Sequence, residues 1–336
     1  MQQQHFLKVT KAFVTLEIFI VLLMFSNSVH AQQPDDIKPP DVIISTDIGG
    51  DDPDDYQSLI HLLLYGDRFS LQGFISSPPG KGRIANIFEV LNAYQQDYQH
   101  LYLHNRKFPH PDTLKGITKQ GAIDVQQKEL PTDLSEGAAW IIEKSNELFP
   151  EYLYILVWGS LTDVAQAVHH RPSIKKNIRI YSIGSWNTKL DPKARDYLFS
   201  QHKDLWWIEN NSSFRGMYKG GFQDGDWGNE SFVNRYVKDY GALGKLFWEK
   251  KKDIKMGDTP SVLFFLSGNP DNPTLSSWGG TFYQPFSDRN YWTDLPDENL
   301  RQDNFDGAAT VNRHRALYLK DWAERMALLP YTGRRK

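Results

Sequence analysis

Residues 41–64 read DVIISTDIGGDDPDDYQSLIHLLL, and the fold turns on how this stretch is understood. It opens with Val42, Ile43 and Ile44, a short apolar run of the kind that forms a buried strand. Gly49 and Gly50 then permit a sharp turn, because glycine tolerates positive φ. A helix follows, with Pro53 near its first turn and Leu59, Ile60, Leu62, Leu63 and Leu64 further in. Between strand and helix lie five carboxylates: Asp47, Asp51, Asp52, Asp54 and Asp55. Two unit charges about 4 Å apart interact by roughly 4 kcal/mol at an effective dielectric near 20. Such crowding is relieved if the loop is fully solvated, if some groups stay protonated, or if a cation sits among them. Acidic residues are also favoured in the first turn of any helix, where they face the positive end of the dipole. If a cation is there, oxygen-only ligands in a chain without cysteine favour a hard ion, Ca²⁺ or Mg²⁺. An EF-hand does not fit: the acids do not alternate as that loop requires, and no Glu closes it.

The chain has 336 residues, a net charge of −3 and 40% hydrophobic residues, enough for one large α/β domain or two small ones. A pI near 6.4 gives no reason to expect nucleic-acid binding through bulk charge. Ten Trp and 16 Tyr suit a sugar- or base-stacking site and equally suit a large core. The absence of cysteine rules out disulfides and thiol chemistry. At the N-terminus, Lys8 and Lys11 precede an apolar run over 18–25, and Ser28-Val29-His30-Ala31 offers a small-residue cleavage site. Residues 1–31 therefore read as a signal peptide cleaved after Ala31, with an uncleaved anchor as the alternative. The apolar run is short for a membrane span. Export implies a periplasmic or secreted protein, free of the membrane after cleavage. Polar, Pro-containing 32–40 reads as a flexible lead-in, and 41–330 as a single domain.

Strand and helix patterns then alternate. Residues 71–77 read as a strand ending in Ser77-Pro78-Pro79-Gly80, 84–98 as a helix, and 101–103 as a short third strand. Residues 108–130 read as an irregular lid or surface loop. A helix is expected over 134–149, where Ser135 can cap the first turn. Strands are expected at 152–158, 178–183 and 205–208, with a helix running through Val168 after the first of these. Residues 232–252 read as one or two helices, 267–296 as a functional loop region, and 308–329 as a closing helix. This alternation argues for an α/β fold: a mostly parallel open sheet with helices on both faces. In such sheets ligands bind beyond the carboxyl ends of the strands. The acidic loop, the turn after Trp158, Trp186-Asn187 and Glu209-Asn210 would all lie along that edge.

A strand ending in Asp, a Gly turn and an Asp-Asp pair opening a helix resembles the signature of the inosine–uridine-preferring nucleoside hydrolases, roughly DxDPGxDDxxAL. The form TDIGG…PDDYQSL is closer to the nucleoside-hydrolase-like branch that includes proteins described as cellulose-binding. Asp47 matches the second Asp of the motif, and Asp54-Asp55 match its Asp-Asp pair. The first Asp falls on Ser45, and the loop is longer here. Residues 152–168, YLYILVWGSLTDVAQAV, are similar to the second landmark of that family, TGPLTNIAxAL after a strand. Gly257-Asp258-Thr259-Pro260 resembles its third landmark, His-Asp-Pro, with Gly257 in place of the His. Read alone, Asp258 is also an ordinary helix cap.

The resemblance implies a nucleoside-hydrolase-like fold and a Ca²⁺ held by Asp47, Asp55, Asp258 and the backbone carbonyl of Trp158. It implies Asp47 as the base that takes a proton from water, and Asp54 as a partner of sugar hydroxyls. Asn187, Glu209 and Asn210 are sugar-contact candidates from their places at strand ends. Trp186, Trp278 and Tyr283 are candidates for stacking on a base or sugar. His61, His202 and His314 are candidates for a leaving-group acid but match no family acid position, and they read as core or solvated histidines. Two functions follow. One is an exported Ca²⁺-dependent N-glycosidase acting on a small ribonucleoside or related glycoside. The other is a carbohydrate-binding protein that keeps the fold and turns over nothing. Assembly into a homo-oligomer is left open.

Overall fold

A computed structural model describes residues 38–50 and 52–333. The expected signal peptide and residues 32–37 of the lead-in lie outside the described residues. The strands are β1 (Asp41–Thr46), β2 (Ser70–Ser76), β3 (Thr118–Gln120), β4 (Leu153–Val157), β5 (Ile178–Ile183), β6 (Trp206–Asn210), β7 (Phe282–Tyr283) and β8 (Tyr291–Asp294). They form one sheet in the order β3-β2-β1-β4-β5-β6-β8-β7. Every neighbouring pair is parallel except β7–β8, which is antiparallel.

The helices are α1 (Asp54–Leu64), α2 (Ile84–His104), α3 (Pro111–Gly116), α4 (Glu136–Leu148), α5 (Thr162–His170), α6 (Trp186–Leu190) and α7 (Pro192–Gln201). They continue with α8 (Asn229–Phe232), α9 (Gly241–Lys250), α10 (Thr259–Ser267), α11 (Ala308–Asn312) and α12 (Arg315–Met326). Successive strand residues point to opposite faces. Val42, Ile44, Leu156, Tyr181 and Ile208 enter the core shared with α1, α2, α9, α10 and α12. Ile43, Ile155, Ile180 and Trp207 enter a second core with α4, α5 and α7. Both faces are covered, which is why the central strands read as nearly continuous apolar runs.

Several expectations are corrected. Residues 101–103 are the last turns of α2, not a strand. Ile87, Val90, Leu91, Tyr94, Tyr98 and Leu101 form one buried helical face, and Leu103 is 69% exposed. The stretch 108–130 contains α3 and β3, a three-residue edge strand too polar to announce itself. Residues 267–296 contain β7 and β8. The closing helix is divided near His314 into α11 and α12. Strand β6 runs on through Glu209 and Asn210, so these residues belong to the strand.

Local side-chain bonds fix the connections. Ser135 caps α4 by accepting from the Ala138 amide at 2.9 Å. Asp163, in the first turn of α5, accepts from the Ala122 amide at 2.8 Å and from the Ser135 hydroxyl. That single carboxylate anchors both ends of the 121–135 loop. His61 lies in the core against Tyr65 and Trp322, and burial lowers its pKa to about 3, so it stays neutral. Among the described residues, no helix is long and apolar enough to cross a membrane.

A buried ion pair tests the α1 side of the core. Arg325 Nη1 lies 2.7 Å from Asp67 Oδ1, and Asn105 donates to Asp67 Oδ2 at 2.9 Å. Asp67→Ala leaves the guanidinium without its counter-charge, and stability should fall by about 3–5 kcal/mol. Chemical denaturation checks this; a loss under 1 kcal/mol would refute it.

Candidate metal centre

The site forms where β1, β4 and the start of α10 end together. Asp47 follows β1 directly, and Gly50 N donates to Asp47 O at 3.0 Å to close the turn. Gly49 makes that turn at φ +96°, a region a side chain rarely enters. The chain then enters α1 with Asp54 and Asp55 in its first turn. Thr46 Oγ1 donates to Asp55 Oδ1 and accepts from the Ile48 amide at 3.1 Å, so one hydroxyl joins strand, turn and helix.

Trp158 follows β4, its amide donating to Ser45 O at 2.7 Å. Its indole Nε1 donates to Ser261 Oγ at 2.8 Å, and that hydroxyl donates to Asp258 O at 2.6 Å. The tryptophan thus ties the end of β4 to the first turn of α10. A Cβ on the next residue, Gly159, would lie 2.9 Å from Asp47 Cβ and 2.7 Å from Ser77 Oγ. Only glycine lets these strand ends approach so closely.

Carboxylate oxygens of Asp54, Asp55 and Asp258 lie within 4.8 Å of one another. Asp258 occupies the N-cap position of α10, yet its side chain makes no capping bond. It is 3% exposed, and Oδ2 has no hydrogen-bond partner. A buried acceptor without a donor is costly, and here it faces other acids. Asp47 stands close enough to Asp55 for each carboxyl to affect the other's charge. Burial, followed by the charge of Asp54, pushes the Asp47 carboxyl up to about 7. Asp54 and Asp55 are raised well above the usual range by burial and then by each other or by Asp47. Asp258 is raised by burial and then by Asp55. Lys255 supplies one positive charge, at 2.5 Å from Asp52. Oxygen donors alone, one of them orphaned, fit a hard divalent ion.

The other residues singled out in the sequence separate clearly. Asn187 donates from Nδ2 to Trp158 O at 2.7 Å and to Ile183 O at 3.1 Å, so it stands beside the Trp158 carbonyl. Trp186, its neighbour, is 66% exposed. Glu209 and Asn210 are corrected from sugar contacts to internal struts. Glu209 accepts from Arg195 at 2.8 and 3.2 Å, Thr188 at 3.1 Å and Tyr291 at 2.6 Å, which fills its acceptor positions. Asn210 donates to Tyr181 and accepts from Ser213 and Phe214. Trp278 packs partly buried on the core, its amide donating to Ser267 at the far end of α10 from Asp258. Tyr283 pairs with Thr293 in the β7–β8 edge. His202 meets Tyr197 edge-on and His314 meets Ser276, so neither stands among the acids. The sequence gives no sign of the parts Thr46 and Gly159 play here. A small or hydroxyl residue at a strand end signals nothing until the neighbouring strand is placed.

This topology and its acidic strand-end site define a nucleoside-hydrolase-like α/β protein. The chain belongs to the family described as "Cellulose-binding Sde182, nucleoside hydrolase-like domain", whose model matches residues 41–282. No curated protein matches the chain. Among solved structures, a nucleoside hydrolase-related protein from Saccharophagus degradans, associated with carbohydrate metabolism, is similar. It is 23% identical with a TM-score of 0.69, over 87% of this chain and 72% of that one. The plant nucleoside hydrolase PpNRh1 shares 17% identity at a TM-score of 0.52, over 86% of this chain and 99% of that one. The type III effector XopQ, solved with adenosine diphosphate ribose, shares 10% identity at a TM-score of 0.54, over 87% of this chain and 95% of that one. Identities this low speak for the shared fold alone.

The raised carboxyls set a direction with pH. Asp47 has a folded pKa near 7 against an ordinary value of 3.8, so the folded state binds more protons between these values. Its contribution to stability is complete below about pH 3.8 and is lost as pH rises through about 7. In EDTA the melting temperature should therefore fall across that window, and Asp47→Asn should flatten the fall. Thermal melts from pH 4 to 8 check this; equal slopes in the two proteins would contradict it.

Proposed function

We propose that this chain is an exported, Ca²⁺-dependent N-glycosidase that cleaves the N-glycosidic bond of a ribonucleoside or related small glycoside. The observation that carries this reading is the convergence of Asp54, Asp55 and Asp258, with an orphaned buried oxygen on Asp258. Asp47, Asp55, Asp258 and the Trp158 carbonyl would hold the ion. When bound, such an ion acts as a Lewis acid that lowers the pKa of a water and orients it. Asp47, as one of the acids beside such a water, would serve as the general base that takes its proton. Asp54, at the rim of the group, accepts hydrogen bonds from sugar hydroxyls. Asn187 has both amide hydrogens engaged on backbone carbonyls, so it offers the substrate an acceptor. Water oxygen bonds to the anomeric carbon as the C–N bond breaks, the electron pair leaves with the base nitrogen, and the base takes a proton from solvent.

The leaving-group side differs from the His-Asp-Pro pattern for a spatial reason. A Cβ at Gly257 would lie 2.5 Å from Asp54 Oδ2. Any side chain there would require the Asp54 carboxylate to shift, and glycine itself supplies no imidazole for base departure. Export rests on residues 1–31, which carry the features of a cleaved leader.

A second reading is favoured by one observation. Trp186 stands 66% exposed beside Asn187, as a sugar-stacking platform would. A chain that binds carbohydrate without cleaving it would use this face.

Purified protein should bind about one Ca²⁺ per chain by calorimetry and release base from at least one ribonucleoside. Asp47→Asn should abolish release while the protein stays folded. Asp258→Asn should weaken Ca²⁺ at least about tenfold, or roughly 1.4 kcal/mol. Retention on insoluble cellulose, lost in Trp186→Ala, with no base released from any nucleoside, would replace the hydrolase by the binding protein.

A further inference from the structure

Gln57 lies two residues beyond Asp55 in α1 and is fully buried. A primary amide has two donor hydrogens and an oxygen that accepts twice. All four positions are engaged, and all on one segment. Nε2 donates to Lys251 O at 3.2 Å and Asp253 O at 2.9 Å. Oε1 accepts from the amides of Lys255 at 2.9 Å and Met256 at 3.2 Å. The segment 251–256 has no helix or strand ladder of its own, and it leads directly to Asp258. Met256 is held at φ +39°, a region that a side-chain-bearing residue enters at a cost on the order of 1–3 kcal/mol. The surrounding structure must impose that conformation, and Gln57 holds the Met256 amide. One residue along α1, Ser58 Oγ accepts from Thr259 Oγ1 at 3.0 Å, on the other side of Asp258.

Helix α1 therefore holds the backbone before Asp258 and the Thr259 side chain after it. The Asp258 carboxylate makes no capping bond, and its Oδ2 has no partner. Its place relative to Asp54 and Asp55 follows from these ties, together with the Ser261 bonds to its own carbonyl. We infer that Gln57 is the positioning residue that sets Asp258 in register with the two acids of α1. A single helix then carries two of the converging carboxylates and the clamp for the third. The inference rests on the proposed reading of these acids as a cation site.

The test is Ca²⁺ titration by calorimetry on the full chain, well below its melting temperature. Backbone hydrogen exchange is followed in the same samples. Gln57→Leu keeps the volume and removes all four bonds. Its Ca²⁺ affinity should fall by about 10–100-fold, as for partners that orient metal ligands. The amides of Lys255 and Met256 should exchange faster. If the leucine variant does not fold, Gln57→Asn draws the amide back by one methylene and should show the same two changes. Faster exchange with unchanged affinity would make Gln57 merely structural and overturn the inference. So would unchanged exchange with unchanged affinity. A wild-type chain that takes up no Ca²⁺ would instead overturn the cation reading itself.

Discussion

Repulsion among carboxyl groups held at neighbouring strand ends is the constraint around which this fold is arranged. Asp47, Asp54, Asp55 and Asp258 come from three separate stretches of chain and meet in a place where water cannot screen them well. At an effective dielectric near 20, each close pair would oppose folding by roughly 4 kcal/mol if both members were ionised. The chain accepts this because the surrounding ties are strong and specific. Thr46 fixes Asp55, the Trp158 indole fixes the start of α10, and α1 clamps the segment before it. Protons on the carboxyls relieve this repulsion, and a hard cation relieves it without them.

Helix α1 is the element that links sheet, core and site. Its apolar residues bury against β1, α2 and α9, while its first turn presents the acids. Polar residues that look out of place within it, Gln57 and Ser58, act on α10 and its approach. A helix read only for hydrophobic periodicity gives no reason for a buried glutamine. Four backbone groups that find no other partner among the described residues supply that reason.

How much was legible in the sequence depended on burial. The runs at 42–44, 152–158 and 178–183 announce strands because both sheet faces are covered. The edge strands β3 and β7 escape notice because they are two or three residues long and carry mixed side chains. Leu101 and Leu103 mimic strand alternation, but the first continues the buried face of α2 and the second leaves it. The three landmarks in fixed order single out Asp47, Asp55 and Asp258 as ligands and Asp54 as a sugar partner, and the structure groups Asp54 with Asp55 and Asp258. Glu209 and Asn210 were misjudged, because position at a strand end does not reveal a side chain's partner. Arg195 and Tyr291 claim Glu209 from elements distant in sequence. Gly159 and Gly257 could not be interpreted until the atoms they make room for were in place.

The outermost strands carry a different consequence. The sheet ends at β3, three residues long, on one side and at β7, two residues long, on the other. A border that short exposes few unpaired amides and carbonyls for a second molecule to zip onto. The eight-stranded sheet is thereby guarded against growing sideways into fibrous aggregates, without sacrificing any of its long central strands.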